Sequence, residues 1–116
     1  MRILVIDNEK ARLKVFKQKL IGNVVDCAEK ASEAIEMLKN NMYDLVSLDH
    51  DLTDQVFQPS GPGTGFEVAQ WLVDHKDRKP RRIVIHSFNI AGAQNILTIL
   101  PEAEYIPGNW LLNEIF

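Results

Sequence analysis

The sequence predicts an α/β fold, a three-layer α/β/α sandwich built on a five-stranded parallel sheet. One observation is that short apolar runs end in a carboxylate, as at residues 3–6 before Asp7 and residues 45–48 before Asp49. Unbroken apolar runs are typical of strands covered on both faces, as in parallel sheets. The other observation is that helical patterns alternate with these runs, which favours right-handed βαβ units with helices on both faces.

Each predicted strand is a short apolar segment. The third strand, 45–48, stops at Asp49, and the fourth, 83–85, runs into His86. The other two predicted strands have weaker patterns. The full set is 3–6, 24–25, 45–48, 83–85 and 104–106.

Each predicted helix has a stripe of apolar residues three and four positions apart, which is the core face of an amphipathic helix. Ser32 is the expected N-cap of the second helix, Pro101 ends the fourth, and Asn109 is expected to cap a fifth over 110–116. The four stripes are Leu13, Phe16 and Leu20; Ala31, Ala34, Ile35 and Leu38; Phe66, Ala69, Leu72 and Val73; and Ile96, Leu97 and Leu100.

Length and charge limit the classes of function. The 116 residues are expected to form one domain, 1–116. A net charge of −3 argues against a broad nucleic-acid-binding face, and the basic cluster 78–82 precedes the fourth strand, opposite the acidic strand ends. The sequence shows neither a signal peptide nor an apolar run of membrane-spanning length, so we expect a cytoplasmic protein. The turn-forming segment 52–64 is expected to be a long loop or lid.

Carboxylates collect where the first and third strands end. In parallel sheets these ends share one edge, where ligands bind. Asp7 and Asp49 are therefore the first candidates for a divalent metal site, with Mg²⁺ favoured because it prefers oxygen ligands. Glu9 is a further candidate, directly or through water, and Asp51 either binds metal or orients a neighbour. The alternative for Asp7 and Glu9 is a stabilising position at the positive end of the first helix.

Four more polar residues are candidates for catalysis. His50 and His86 are suited to proton transfer because histidine titrates near neutral pH. Ser87 and Asn89 offer hydrogen bonds to a phosphate. Alternation along a strand also predicts that, if Asp49 and Ser87 face the site, the two histidines point aside into buried positions.

Three segments resemble the receiver domains of bacterial two-component response regulators, over nearly the whole chain. They are 3–9, 43–49 and 65–68. This resemblance implies the flavodoxin-like strand order 2-1-3-4-5, Mg²⁺ at the first-strand acids, and a phosphoryl group on Asp49 beside Ser87. Receivers also have a Lys after the fifth strand, but residues 101–116 contain neither Lys nor Arg.

A second set of motifs is similar to a divergent branch, the cyclic-phosphate processing receiver family. These motifs are 47–52, 63–65, 71–72 and 85–89. The resemblance implies a metal-dependent phosphoesterase, with Asp49, His50 and His86 in the site. The implied ligand bears a phosphate: it is either an RNA end with a 2′,3′-cyclic phosphate or a small molecule such as a cyclic nucleotide. The alternative is a non-enzymatic signalling domain that accepts a phosphoryl group or only binds a protein partner.

Overall fold

A computed structural model describes residues 1–53 and 58–106 of the chain. Five parallel strands form one sheet in the order β2-β1-β3-β4-β5, which confirms the predicted topology. The strands are β1 (Arg2–Ile6), β2 (Val24–Ala28), β3 (Leu45–Leu48), β4 (Arg82–Ile85) and β5 (Glu104–Tyr105). The helices are α1 (Lys10–Lys19), α2 (Ala31–Asn40), α3 (Gly65–Asp74) and α4 (Ile90–Ile99), with a 3₁₀ turn at Lys76–Arg78.

A side-chain hydrogen bond caps the start of two of the four described α-helices, α3 and α4, and is absent from the starts of α1 and α2. The Thr64 hydroxyl accepts the Phe66 N–H at the start of α3, and the Asn89 side chain accepts the Gly92 N–H at the start of α4. The predicted cap at Ser32 is wrong. Lys30 is the extended residue before α2, so Ser32 lies inside the first turn. The predicted helix 110–116 lies outside the described residues.

The two faces of the sheet bury different clusters. Helix α1 covers one face with Leu13 and Phe16, against Ile3 and Val5 of β1. Helices α2, α3 and α4 cover the other face, where Leu4 and Ile6 of the same strand point. Because neighbouring strand residues face opposite sides, a residue's odd or even place in its strand decides which layer it meets.

The strand register brings the polar strand ends together. Ile6 is paired with Leu48, and Leu48 with Ile85, so Asp7, Asp49 and His86 are the next residues along three adjacent strands. The ladder continues through them, because Asp49 N–H donates to the Ile6 carbonyl and His86 N–H to the Leu48 carbonyl. The functional candidates are thus fixed by sheet hydrogen bonds.

The described helices of residues 1–53 and 58–106 have at most ten residues each. None of them is long and apolar enough to cross a bilayer.

Candidate functional site at the carboxyl ends of β1 and β3

Asp7 and Asp49 meet at a single cation, the guanidinium of Arg12. Arg12 donates from Nε to Asp7 Oδ2 at 2.7 Å and from Nη2 to Asp7 Oδ1 at 3.0 Å. The same Nη2 lies 3.5 Å from Asp49 Oδ2. A fork of this kind matches carboxylate geometry and is among the stronger charge-assisted contacts. The acids expected to share a metal ion therefore share an arginine in this structure.

Asp7 is fully buried and held from three sides. Besides the Arg12 fork, the Glu9 N–H donates to Oδ1 at 2.8 Å and His86 Nε2 lies 2.9 Å from Oδ2. Burial by itself would raise the pKa of the Asp7 carboxyl, but the hydrogen bonds from His86 and Arg12 lower the pKa to about 2. Asp7 is thus a permanently ionised anchor at neutral pH.

Asp49 has the opposite character. Its side chain is almost completely buried, and burial raises the pKa of the carboxyl to about 6. The negative charge of Asp7 contributes to this raised value, and His86, Arg12 and a hydrogen bond with Ser87 act against it. Two neighbouring carboxyl groups with pKa values pushed this far apart are suited to different chemical tasks.

His86 lies beneath the site on the α1 side of the sheet. A carboxylate only accepts hydrogen bonds, so Nε2 carries the proton that bonds Asp7, and Nδ1 lies 2.7 Å from the Ser47 hydroxyl. The Phe16 ring covers the imidazole at a centroid distance of 5.1 Å. From this place His86 holds Asp7 in position.

Ser87 and Glu9 complete the surroundings. Ser87 is buried beside Asp49, and its Oγ also accepts the Asn89 N–H at 3.1 Å. Glu9 is exposed at the rim. The hydrogen bond to Asp7 raises the pKa of the Arg12 guanidinium, and the charges of Asp49 and Glu9 add to that shift. Asn8 donates from Nδ2 to the Thr53 carbonyl at 2.9 Å, which ties the β1–α1 turn to the long loop.

The remaining candidates form a second cluster away from the acid pair. His50 is fully buried on the α4 side, with Nδ1 2.7 Å from Asp51 Oδ1 and Nε2 2.8 Å from the Ser60 hydroxyl. Asn89 donates from Nδ2 to Asp51 Oδ1 at 3.0 Å. The cause of the separation is strand alternation, since His50 is one residue beyond Asp49 and so faces the opposite layer.

Two residues of these clusters, Arg12 and Ser60, did not emerge from the sequence. Arg12 carried one usable signal, because a cation in the first turn of a helix opposes the helix dipole and so points to a specific anionic partner. Ser60 carried none, because no helix or strand pattern includes it and its contact with His50 depends on tertiary structure. Within residues 1–53 and 58–106, no three His, Cys, Asp or Glu side chains are grouped as a metal-binding set.

This fold and the paired acids at its strand ends define a receiver domain of the response-regulator type. The model of the cyclic-phosphate processing receiver domain matches residues 2–102. The chain therefore belongs to the cyclic-phosphate processing receiver domain family. A comparison with curated proteins found no similar sequence.

Solved receiver structures share the fold over most of the chain. A response regulator, TrrA, from Thermotoga maritima in complex with Mg²⁺ and BeF is 25% identical with a TM-score of 0.71, covering 94% of this chain and 89% of that one. The non-phosphorylated HemR receiver domain from Leptospira biflexa is 29% identical with a TM-score of 0.70, covering 91% and 80%. A CheY-like receiver domain from Methanospirillum hungatei is 24% identical with a TM-score of 0.70, covering 98% and 89%.

Proposed function

We propose that this domain binds a phosphate-bearing ligand at the Asp7–Asp49 site together with a divalent cation and opens cyclic phosphates there. The observation that carries the proposal is that two buried carboxylates from separate strands converge on one cation. Family membership supports the ligand class, and the Mg²⁺ in the Thermotoga maritima structure supports the cation.

The residues present fit a hard divalent cation. Asp7 and Asp49 offer carboxylate oxygens, the ligands that Mg²⁺ prefers, around the position that the Arg12 guanidinium now takes. Glu9 stands at the rim as a further oxygen donor. When bound, such an ion would neutralise phosphoryl charge and lower the pKa of a bound water. Arg12 and the ion compete for the same pair of acids.

Arg12 is suited to hold the phosphate once an ion relieves it of the acids. About a third of its side chain is exposed, so the guanidinium can turn from Asp7 toward the site opening. Its planar set of N–H donors matches phosphoryl oxygens as well as it matches carboxylates. Arg12 would then supply the positive charge that receivers usually place on a Lys after the fifth strand.

Asp49 is the group suited to proton transfer. Opening a cyclic phosphate requires a base for the attacking water or an acid for the leaving oxygen. Without a bound ion, Asp49, with a pKa of about 6, exchanges a proton near neutral pH, whereas Asp7, at about 2, only keeps its charge. A divalent cation bound directly to Asp49 would lower that pKa, so proton transfer by Asp49 requires the ion to be held mainly by Asp7. Ser87 steers Asp49 by hydrogen bonding, and His86 orients Asp7. The catalytic predictions for His50 and Asn89, and the metal prediction for Asp51, stay predictions; Asn89 reaches this site through its N–H, which donates to Ser87 Oγ.

The test is turnover of 2′,3′-cyclic nucleotides, followed by ³¹P NMR with Mg²⁺, Mn²⁺ or Ca²⁺. We expect a monophosphate product that is lost in Asp49→Ala and retained in Asp74→Asn, which removes an exposed carboxylate at the far end of α3. A folded wild-type protein that turns over none of these substrates with any of the ions would overturn the proposal.

The second candidate is a signalling role in which Asp49 accepts a phosphoryl group. It is favoured by the position of Asp49 directly after β3, with Ser87 beside it and Arg12 as the nearby cation. Incubation with a small phospho-donor and Mg²⁺ should then add one phosphoryl mass that Asp49→Asn abolishes. If both assays are negative, binding of a protein partner is the function left.

A further inference from the structure

The His50 cluster contains a serine, a histidine and a carboxylate in hydrogen-bonded series. Ser60 Oγ lies 2.8 Å from His50 Nε2, and His50 Nδ1 lies 2.7 Å from Asp51 Oδ1. This is the order of contacts by which an imidazole activates a hydroxyl group. These two contacts include neither Asp7 nor Asp49.

The hydrogen bonds fix which ring nitrogen is the base. A carboxylate only accepts, so the shorter of the contacts to Nδ1, from Asp51, requires the proton to be on Nδ1. In the neutral ring, Nε2 is then the acceptor and the Ser60 hydroxyl is its donor. The Asn95 amide donates to the same Ser60 Oγ at 2.8 Å. The serine proton therefore points at the base.

The imidazole is held without room to turn. His50 has no exposed surface, and a Cβ placed on Gly92 would lie 2.4 Å from His50 Cγ, so the ring packs directly on the α4 backbone. Asn89, fixed as the cap of α4, donates to Asp51 at 3.0 Å. Such fixed support of base and orienting group is what precise nucleophile activation requires.

The Ser60–His50–Asp51 series differs from the similar Ser47–His86–Asp7 series in how exposed its serine is. Ser47 also contacts a histidine that contacts an aspartate, but Ser47 is fully buried inside the sheet. Ser60 is only half-buried, and Asn95 beside it is exposed. A substrate can therefore reach Ser60 and not Ser47.

We propose that Ser60 is the nucleophile of a second reactive centre, with His50 as its general base and Asp51 as the orienting group. The substrate class is a neutral carboxylic ester. The Ser60 Oγ–carbon bond forms at the carbonyl as the hydroxyl proton passes to His50 Nε2. The ester C–O bond then breaks, the alcohol leaves with that proton, and water hydrolyses the acyl-serine to release the acid.

The local charges favour a neutral substrate. Among the described residues, Asp51 bonds His50, the neutral Asn89 amide donates to Asp51, and the neutral Asn95 amide donates to Ser60. A phosphate anion would be placed next to the Asp51 carboxylate, and the two amides carry no charge to offset the repulsion. The Asn95 amide has a second N–H, which can stabilise the oxyanion formed when Ser60 attacks.

The test is labelling of the whole chain with a fluorophosphonate, which Ser60 attacks at phosphorus with loss of fluoride, read by intact mass and peptide mapping. We expect a single adduct on Ser60, no adduct in Ser60→Ala, and at least about 100-fold slower labelling in Asp51→Asn, whose amide no longer holds the productive tautomer. The rate of acetyl transfer from p-nitrophenyl acetate should likewise be highest in the wild type, lower in Asp51→Asn and lost in Ser60→Ala.

Two serine variants serve as matched controls. Ser32→Ala removes an exposed serine that is not in this series, and Ser47→Ala removes the buried one. Both should label like the wild type. Folded wild-type protein that gains no adduct at Ser60, or a Ser60→Ala variant that labels at the same rate, would overturn the proposal. A Ser60→Ala variant that changes only the melting temperature, in the absence of wild-type labelling, would make Ser60 a loop anchor instead.

Discussion

His86 and His50 are two buried histidines with the same kinds of partners and opposite surroundings. Each has one ring nitrogen on an aspartate and the other on a serine hydroxyl. His86 is enclosed between the sheet and Phe16, and its aspartate belongs to the acidic site. His50 lies under α4, and its serine reaches the surface. The comparison teaches that the two series differ in the exposure of the serine more than in the imidazole contacts, which is why, of the two serines, we propose a reaction only at Ser60.

The largest expected effect is a loss of stability from a substitution that disturbs only the packing around His50. In Gly92→Ala, the new methyl group would overlap the His50 ring within a packed core, and we expect a loss of about 3 kcal/mol in the free energy of unfolding. Denaturant unfolding measures this. Gln94→Ala, on the exposed side of the same helix, should stay within about 0.5 kcal/mol of wild type. A near-neutral Gly92→Ala would show that His50 is not packed as described.

The second-largest expected effect is a pH-dependent change in stability at Asp49, in the acidic site beside His86. The pKa of Asp49 in the folded protein, about 6, lies above its ordinary value of 3.8, so ionising Asp49 opposes folding. This penalty is absent below about pH 4 and complete above about pH 6. Asp49→Asn should therefore raise the free energy of unfolding at pH 7 by up to about 3 kcal/mol and change it little at pH 4.

Unfolding of Asp49→Asn and Asp74→Asn at both pH values separates the site from a general charge effect. Asp74 is exposed, so its variant should show no such dependence on pH. An equal stability difference for Asp49→Asn at pH 4 and pH 7 would contradict the burial effect assigned to this carboxyl.

The smallest expected effect on stability comes from removing Arg12, the cation between the two acids of the His86 side. Arg12→Ala leaves Asp7 and Asp49 facing each other without their shared partner, and we expect a loss of about 2 kcal/mol, because the arginine is partly exposed. The same variant should bind Mg²⁺ more tightly than wild type, as measured by calorimetry, because a competitor is removed. Lys14→Ala, an exposed change on α1, should alter neither quantity. Unchanged Mg²⁺ affinity in Arg12→Ala would show that the ion binds elsewhere.

The sequence predicted the parts of the molecule that depend on short-range pattern. The apolar runs ending at Asp7 and Asp49 predicted that these acids meet at one edge of the sheet, because apolar strands and their polar ends are local features of the sequence. Alternation also anticipated that His50 would turn away from Asp49. The Arg12 contact was not predictable, because it depends on where α1 lies over the sheet. Ser60 was not predictable either, because the contact depends on a loop meeting a distant helix.

The arginine between the two acids has a consequence for how the protein behaves during purification. Arg12 is a counter-ion, supplied by the fold itself, for the negative charges of Asp7 and Asp49 at the strand ends. Exhaustive treatment with a chelator should then leave the domain folded. Any dependence on added divalent ions would report on the chemistry at Asp49 and not on the integrity of the sheet.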